Sequence, residues 1–283
     1  MSAEANSERA GERGAMDALR EWLASCPGAV VAFSGGVDSS LLLAVAQEVL
    51  GRRVLAVTAR SSLSCGAEQA MALAVIRHLG ARHRIIDWDP LRLPPVRNND
   101  PDRCYHCKHA VLQAVRALAQ REGTAVVLDG SNADDRGDYR PGVQALRELG
   151  IRSPLAEVGM GKTAIRALAR SRGLPNWDAP ALACLATRVP FGEVLTPARL
   201  ARIDAAEERI RAVGIGQVRV RDHDGEARIE VSAEELPILR EHSRWREIEG
   251  ALAGLGFRSV VLDPNGYRQG SLNRFAKGTQ RQD

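Results

Sequence analysis

Two groups of residues in this chain have types and spacings suited to chemistry. The first is Ser34-Gly35-Gly36-Val37-Asp38-Ser39-Ser40, which follows the apolar run Ala29-Val-Val-Ala-Phe33 and leads into the apolar stretch Leu41–Leu50. That order reads as the turn between a strand buried on both faces and a helix. A helix N-terminus presents unpaired N–H groups and the positive end of its dipole to an anion, so phosphate is the natural guest. Gly35 and Gly36 let the backbone approach an anion with no Cβ in the way. The hydroxyls of Ser34, Ser39 and Ser40 can add donors, and the Asp38 carboxylate can hold a magnesium ion. The loop lacks the Gly-Lys-Ser/Thr ending of a Walker loop, and the chain has no Gly-x-Gly-x-x-Gly turn. An ordinary Gly/Ser-rich turn does not account for this set at this junction.

The second group is made of cysteines. Five are present (26, 65, 104, 107 and 184), an odd number, and the N-terminus shows no apolar stretch of a leader peptide. A cytoplasmic chain is expected, in which metal binding or thiol chemistry is a better reading than structural disulfides. Arg103-Cys-Tyr-His-Cys-Lys108 places Cys104 and Cys107 at the mouth of a helix, where two thiolates can share a metal, a cluster or a redox bond. Zinc would want four ligands, no second Cys-x-x-Cys exists, and His106 and His109 on the same turn complete a tetrahedron poorly. Cys184 stands apart in Pro180–Arg188. Three such thiolates suit a [4Fe–4S] cluster with one iron left open, against the alternative of three unrelated buried thiols. Cys26 and Cys65 read as structural.

The elements that must position these groups follow from patterning. The chain has 283 residues, 45% apolar and 26% charged, which excludes a disordered or collagen-like chain. No run approaches the roughly 20 apolar residues of a membrane span. The net charge of +4 (39 − 35) admits a nucleic-acid partner. However, the cations are almost all arginines placed near acids, with only Lys108, Lys162 and Lys277 as lysines, and aromatics are scarce. A nucleic-acid face is therefore not expected. Residues 1–14 are polar and read as frayed, and a helix starts at Met16. Strands are expected at 29–33, 54–58, 83–88, 125–129 and 152–155, alternating with helices at 41–50, 71–79, 111–121 and 162–172. That alternation means a parallel sheet. After the Pro/Gly-rich 175–190 the pattern changes. A helix is expected at 197–213, two strands facing solvent on one side at 218–221 and 228–231, one helix over 236–255 and a last strand at 259–262.

At the glycine-serine loop a resemblance enters. Ser-Gly-Gly-x-Asp-Ser is similar to the pyrophosphate loop of the ATP pyrophosphatases, which split ATP between the α and β phosphates. Asp129-Gly-Ser-Asn-Ala-Asp-Asp135, with Gly130, resembles that superfamily's second ATP-facing loop, and Lys162 its phosphate-contacting helix-start lysine. From about residue 29 to 273 the chain resembles the LarE family of ATP-dependent sulfur transferases. The resemblance adds Asp138-Tyr-Arg-Pro-Gly142, Trp177-Asp-x-Pro-Ala181 followed by Cys184, Val218-Arg-Val-Arg221 and Gly266-Tyr-Arg-x-Gly-Ser-x-Asn273.

The resemblance implies an α/β fold, a doubly wound parallel sheet of adenine nucleotide alpha-hydrolase type with a second, smaller α+β domain. The expected division is 1–14, 15–188 and 189–283. It implies ATP and Mg2+ as cofactors, with ATP at Ser34, Gly35, Gly36, Asp38, Ser39, Ser40, Gly130 and Lys162. The reaction implied is adenylation of a carboxylate of pyridinium-3,5-biscarboxylate mononucleotide and its replacement by a thiocarboxylate. Sulfur would come from Cys184 itself in one family type. In the other it would come from a [4Fe–4S] cluster on Cys104, Cys107 and Cys184, which fits this cysteine set better. The family's phosphate and carboxylate site maps onto Arg188, Glu207, Arg219, Arg221 and Glu230, with Thr187 where serine is expected. A homo-oligomer and other nickel-pincer biosynthesis proteins are the implied partners, with no membrane. A tRNA thiolase of the same superfamily is the alternative, and a nucleotide-sensing module is a non-enzymatic one.

Overall fold

The computed structural model describes residues 3–124, 126–137, 141–180, 183–241 and 243–267, and the side chains among these except those of 3–12, 136, 137 and 141. Asp138-Tyr-Arg140, Ala181-Leu182 and Arg268–Asn273 of the motifs above lie outside the described residues.

In chain order the elements are α1 (Ala3–Ala24), β1 (Ala29–Ala32), α2 (Val37–Leu50), β2 (Val54–Arg60), α3 (Gly66–Leu79), β3 (His83–Asp87), α4 (Pro94–Arg97), α5 (Arg103–Arg121), β4 (Val127–Leu128), α6 (Pro141–Glu148), α7 (Pro154–Glu157), α8 (Lys162–Ser171), α9 (Pro197–Arg211), β5 (Val218–His223), β6 (Glu226–Val231), α10 (Glu235–Arg240), α11 (Trp245–Gly254) and β7 (Ser259–Leu262). They divide into two compact units. The first takes Met1–Ser61, Ala67–Trp88 and Cys104–Leu182, and the second Ser62–Gly66, Asp89–Arg103 and Ala183–Asp283.

The first unit is the expected α/β layer structure. Its sheet is all parallel in the order β3-β2-β1-β4. Successive residues of β1 feed two cores, as the period of two requires. Ala29 and Val31 pack with Leu41, Leu43, Leu19 and Ile165 from the helices on one face. Val30 packs with Leu112 and Val115 of α5 and Leu146 of α6 on the other. Burial on both sides is why the strand reads as an unbroken apolar run. The strand expected at 152–155 is not one. Arg152 makes a single parallel bridge to Leu128, and Pro154 then starts α7. Proline has no N–H to extend a ladder, which ends the pairing there.

The second unit holds a sheet in the order β5-β6-β7, with β5 antiparallel and β7 parallel to β6. Leu200, Ile203, Ala206 and Ile210 form the buried stripe of α9. Two expectations are corrected. Strand β5 does not face solvent on one side, since Val218 to Asp222 are all buried, charged residues included. The alternation survives because Arg219, Arg221 and Asp222 find buried or half-buried partners. The expected helix 236–255 is two helices, α10 and α11, separated by the polar segment 241–244. No helix among the described residues is long and apolar enough to cross a membrane.

Candidate active site

In the first unit the glycine-serine loop leaves the C-terminal end of β1. Helix α2 begins at Val37, a turn earlier than its apolar run, so Asp38, Ser39 and Ser40 occupy its first turn. Gly35 has φ +83, and a Cβ there would lie 2.7 Å from the Cβ of Ala72 on α3. Only glycine fits that conformation and that contact. Gly36 caps α2, and a Cβ on it would meet nothing closer than Ser34 Oγ at 3.4 Å. The space beside Gly36 is open.

The hydroxyls are satisfied locally, as short polar side chains at helix starts tend to be. Ser34 Oγ accepts the Gly36 N–H at 3.2 Å and lies 3.2 Å from Ser39 Oγ. Ser39 Oγ and Ser40 Oγ donate to Gly36 O at 3.0 and 2.9 Å. Asn176, fully buried, donates through Nδ2 to Gly35 O at 2.7 Å and to Ser40 Oγ at 2.9 Å. Sequence reasoning missed Asn176. Its only signal was a polar residue in the Pro/Gly-rich stretch just before Trp177.

The loop after β4 closes the other side. Gly130 lies so near α2 that a Cβ would stand 2.8 Å from Ser39 N. Asp134 Oδ2 accepts the Lys162 N–H at 2.7 Å and so caps α8 from outside. Lys162 Nζ then reaches Asp38 Oδ2 at 2.6 Å. The partner oxygen, Asp38 Oδ1, is buried with no hydrogen-bond partner. An orphaned carboxylate oxygen beside an open helix N-terminus suits a hard cation such as Mg2+, which commonly takes one or two carboxylates together with phosphate oxygens. Asp38 and Lys162, with Ser34, Gly35, Gly36, Ser39, Ser40 and Gly130, are the residues expected at ATP, and one unit brings them together.

Helix α5 starts at Arg103, so Cys104 and Cys107 both sit in its first turns; Cys104 is exposed and Cys107 half-buried. Cys184, in the second unit, is exposed. Among the described residues no three His, Cys, Asp or Glu side chains gather into one metal-holding group. Cys26 and Cys65 are buried, and burial pushes the Cys26 thiol up.

In the second unit Cys184 caps the short 3-10 turn Leu185–Arg188. Its carbonyl accepts Thr187 N at 3.0 Å, Thr187 Oγ1 at 2.8 Å and Arg188 Nη1 at 3.2 Å, and Arg188 Nη1 also donates to Ala183 O at 2.7 Å. The rest of the Arg188 fork binds Glu207, Nε to Oε1 at 2.7 Å and Nη2 to Oε2 at 3.1 Å, with both side chains fully buried. Glu207 also accepts Arg211 Nη2 at 2.6 Å and Val220 N at 3.2 Å. Burial would raise the Glu207 carboxyl, but the Arg188 fork outweighs it and holds it below the usual carboxylate range. Arg188 and Glu207, expected to touch substrate, are spent within the protein: Arg188 on this turn and on Glu207, and Glu207 on Arg188, Arg211 and Val220 N.

Arg219 stacks 5.4 Å from the Tyr267 ring centroid, and burial together with neighbouring Arg188 pulls its guanidinium below its ordinary value. Arg221 Nη2 pairs with Glu230 Oε2 at 2.8 Å, and its Nη1 donates to Thr187 O. Gly266 has φ +62 with Val231 O only 2.9 Å from where a Cβ would be, and Tyr267 N donates to Val231 O at 2.7 Å. The Gly-Tyr pair of the last motif thus presents its ring to Arg219.

Comparison with known proteins adds the following. Residues 17–136 match the asparagine synthase family model. An uncharacterised protein of Synechocystis, slr1717, is 39% identical over 259 residues, 92% of this chain and 97% of that one. The pyridinium-3,5-bisthiocarboxylic acid mononucleotide synthase of Lactiplantibacillus plantarum is 40% identical over 245 residues, 86% of this chain and 88% of its own. Among solved structures, the NMN synthetase of Francisella tularensis superposes with a TM-score of 0.49 at 20% identity, covering 60% of this chain and 75% of that one.

Proposed function

Because this chain belongs to the LarE family of ATP-dependent sulfur transferases, that of the pyridinium-3,5-bisthiocarboxylic acid mononucleotide synthase, we propose that it converts a carboxylate of pyridinium-3,5-biscarboxylate mononucleotide into a thiocarboxylate. A carboxylate oxygen is a poor leaving group, so activation must come first. The substrate oxygen attacks the α-phosphorus of ATP, a new P–O bond forms, and the bond to the β-phosphate breaks to release pyrophosphate. A sulfur nucleophile then adds to the acyl carbon, and AMP leaves with the oxygen that carried it.

The observation that carries this reading is the cradle at the start of α2. The open space at Gly36, the hydroxyls of Ser34 and Ser39, the Lys162 ammonium and the orphaned Asp38 oxygen stand together there. In it the Lys162 ammonium neutralises the departing pyrophosphate, and a Mg2+ held by Asp38 would supply further positive charge there. Ser40 and Gly130 shape the loop, Ser40 through Gly36 O and Gly130 by its close approach to Ser39.

In the second unit Arg219 and Arg221 receive the phosphate and carboxylate of the substrate, and Glu230 holds the Arg221 guanidinium in place. Arg188 and Glu207 act through the Cys184 turn that they hold. We infer that Cys104, Cys107 and Cys184 serve as thiolate ligands of a [4Fe–4S] cluster, on the strength of their number and the i, i+3 spacing of the pair; the described residues do not themselves gather these thiols into one group. When bound, such a cluster would offer an open iron to carry a transferable sulfide. The chain is further assigned to the cytoplasm, as a homo-oligomer working with other nickel-pincer biosynthesis proteins.

The test is anaerobic incubation of the chain with ATP, Mg2+, a sulfide source and the biscarboxylate mononucleotide, read by mass spectrometry. A thiocarboxylate product with AMP and pyrophosphate is expected. Pyrophosphate formation that persists undiminished in Asp38→Ala would remove the loop from the mechanism.

A further inference from the structure

The Arg103–Lys108 motif ends in a lysine that neither the nucleotide cradle nor the cluster assignment uses. Lys108 Nζ reaches back from the second turn of α5 to Asp129 Oδ2 at 3.2 Å. Asp129 is buried, and it closes β4 immediately before Gly130. Its carboxylate is a hub. Ser131 N and Oγ donate to it at 3.2 and 2.8 Å, and Ser153 Oγ at 2.6 Å.

The next residue, Gly130, abuts the backbone of Ser39, where a Cβ would be 2.8 Å from N and 2.9 Å from Cα. A rigid contact therefore runs from the phosphate loop through Gly130 and Asp129 to Lys108, and Lys108 adjoins Cys107. The stem of Lys108 is also guided: a Cβ on Gly142 would stand 2.9 Å from Lys108 Cδ. That gives Gly142, at the end of the Asp138–Gly142 motif, a physical role. All of these residues belong to the first unit.

We propose that Lys108 is a positioning residue that couples the two-cysteine turn to the nucleotide loop, so that filling the ATP cradle orders the first turns of α5. The inference rests on the reading of Ser34–Ser40 as the ATP loop. A triphosphate seated on the α2 N-terminus fixes Ser39, and Gly130 has no slack against it. Asp129 is then held, and its ammonium partner with it. The carboxylate partner is what makes a lysine, rather than any long side chain, necessary: a buried carboxylate without its cation is costly. Cys107, the residue before Lys108, and Cys104, one turn before it, are thus held in place when the nucleotide is present.

The experiment is amide hydrogen exchange of the full chain, as purified, with and without Mg2+ and an ATP analogue whose α–β bridge is a methylene. Two peptides are read, one covering residues 34–40 and one covering residues 103–111. In the wild type both slow on adding nucleotide, the second by at least about fivefold, the low end of ordinary site-to-site coupling. In Lys108→Met the loop peptide still slows and the helix peptide does not, and Lys108→Arg restores part of the effect. Gly142→Ala, which displaces the lysine stem and keeps its charge, weakens the coupling as well. Equal slowing of the helix peptide in wild type and Lys108→Met overturns the inference, as does a wild type in which only the loop responds. A wild-type loop that does not respond overturns the ATP-loop reading instead. If Lys108→Met does not fold, Gly142→Ala and Lys108→Arg carry the same comparison, and unchanged coupling in Gly142→Ala overturns the inference.

Discussion

The buried pair Arg188–Glu207 allows a double-variant test of what holds the Cys184 turn. Arg188→Met removes two bonds to Glu207 and the bonds to the carbonyls of Ala183 and Cys184. Glu207 keeps Arg211 and Val220 N, so the loss should fall near the low end for a broken buried pair, about 3 kcal/mol. Glu207→Leu leaves Arg188 buried opposite another buried guanidinium, Arg219, and should cost about 5 kcal/mol. The double variant, with two apolar side chains facing each other, should return to within about 2 kcal/mol of wild type. Thiolation should not return with it, because the Cys184 carbonyl has still lost its guanidinium donor. Urea unfolding followed at several probes measures the first quantity, and product formation the second. Singles that lose less than about 1 kcal/mol, the range of surface pairs, would refute the reasoning, as would a double variant with full activity. The acid limb gives the same pair a pH signature. Glu207 is held below its unfolded value near 4.5, so its stabilisation is complete above that pH and is lost as pH falls through the depressed value. Glu207→Gln should flatten this limb.

Gly130→Ala should weaken ATP binding by about tenfold or more, since its Cβ meets backbone rather than a movable side chain; calorimetric titration of the full chain checks it, and unchanged affinity would contradict the close approach. Asn176→Ala removes two buried hydrogen bonds to the loop and should cost about 1–3 kcal/mol in stability, with weaker nucleotide binding, where Asn176→Asp keeps only the shape. After anaerobic reconstitution with iron and sulfide, Cys104→Ala, Cys107→Ala and Cys184→Ala should each lose cluster absorbance, whereas Cys26→Ala and Cys65→Ala should not, their thiols being buried. Retained activity in the first two, with loss only in Cys184→Ala, would make Cys184 itself the sulfur donor.

The strand, loop and helix that cradle phosphate are legible because β1 is buried on both faces, which writes a continuous apolar run, and because the glycines mark where backbone must pass close. The need for glycine at 130 and 142 is not visible locally, since the atoms they avoid, those of Ser39 and Lys108, arrive through tertiary packing. Asn176 escapes notice for the same reason, as does the tie between Asp129 and Lys108: an isolated polar residue gives no sign of a partner far away in the chain. Strand β5 misleads in the opposite direction. Its alternating arginines look like a solvated face, but Glu230 and the Tyr267 ring cover them. Arg152 and Pro154 show the limit of an apolar pattern, which cannot tell one bridge from a strand.

Activation of the substrate's own carboxylate by ATP is the first chemical step, and oxygen-18 in that carboxylate follows it directly. The chain is incubated with labelled biscarboxylate mononucleotide, ATP, Mg2+ and a sulfide source, and the phosphorus-containing products are weighed. Adenylation followed by sulfur attack places one labelled oxygen in AMP and leaves the pyrophosphate unlabelled. Unlabelled AMP beside a thiocarboxylate product, or ADP and inorganic phosphate in place of AMP and pyrophosphate, would contradict it.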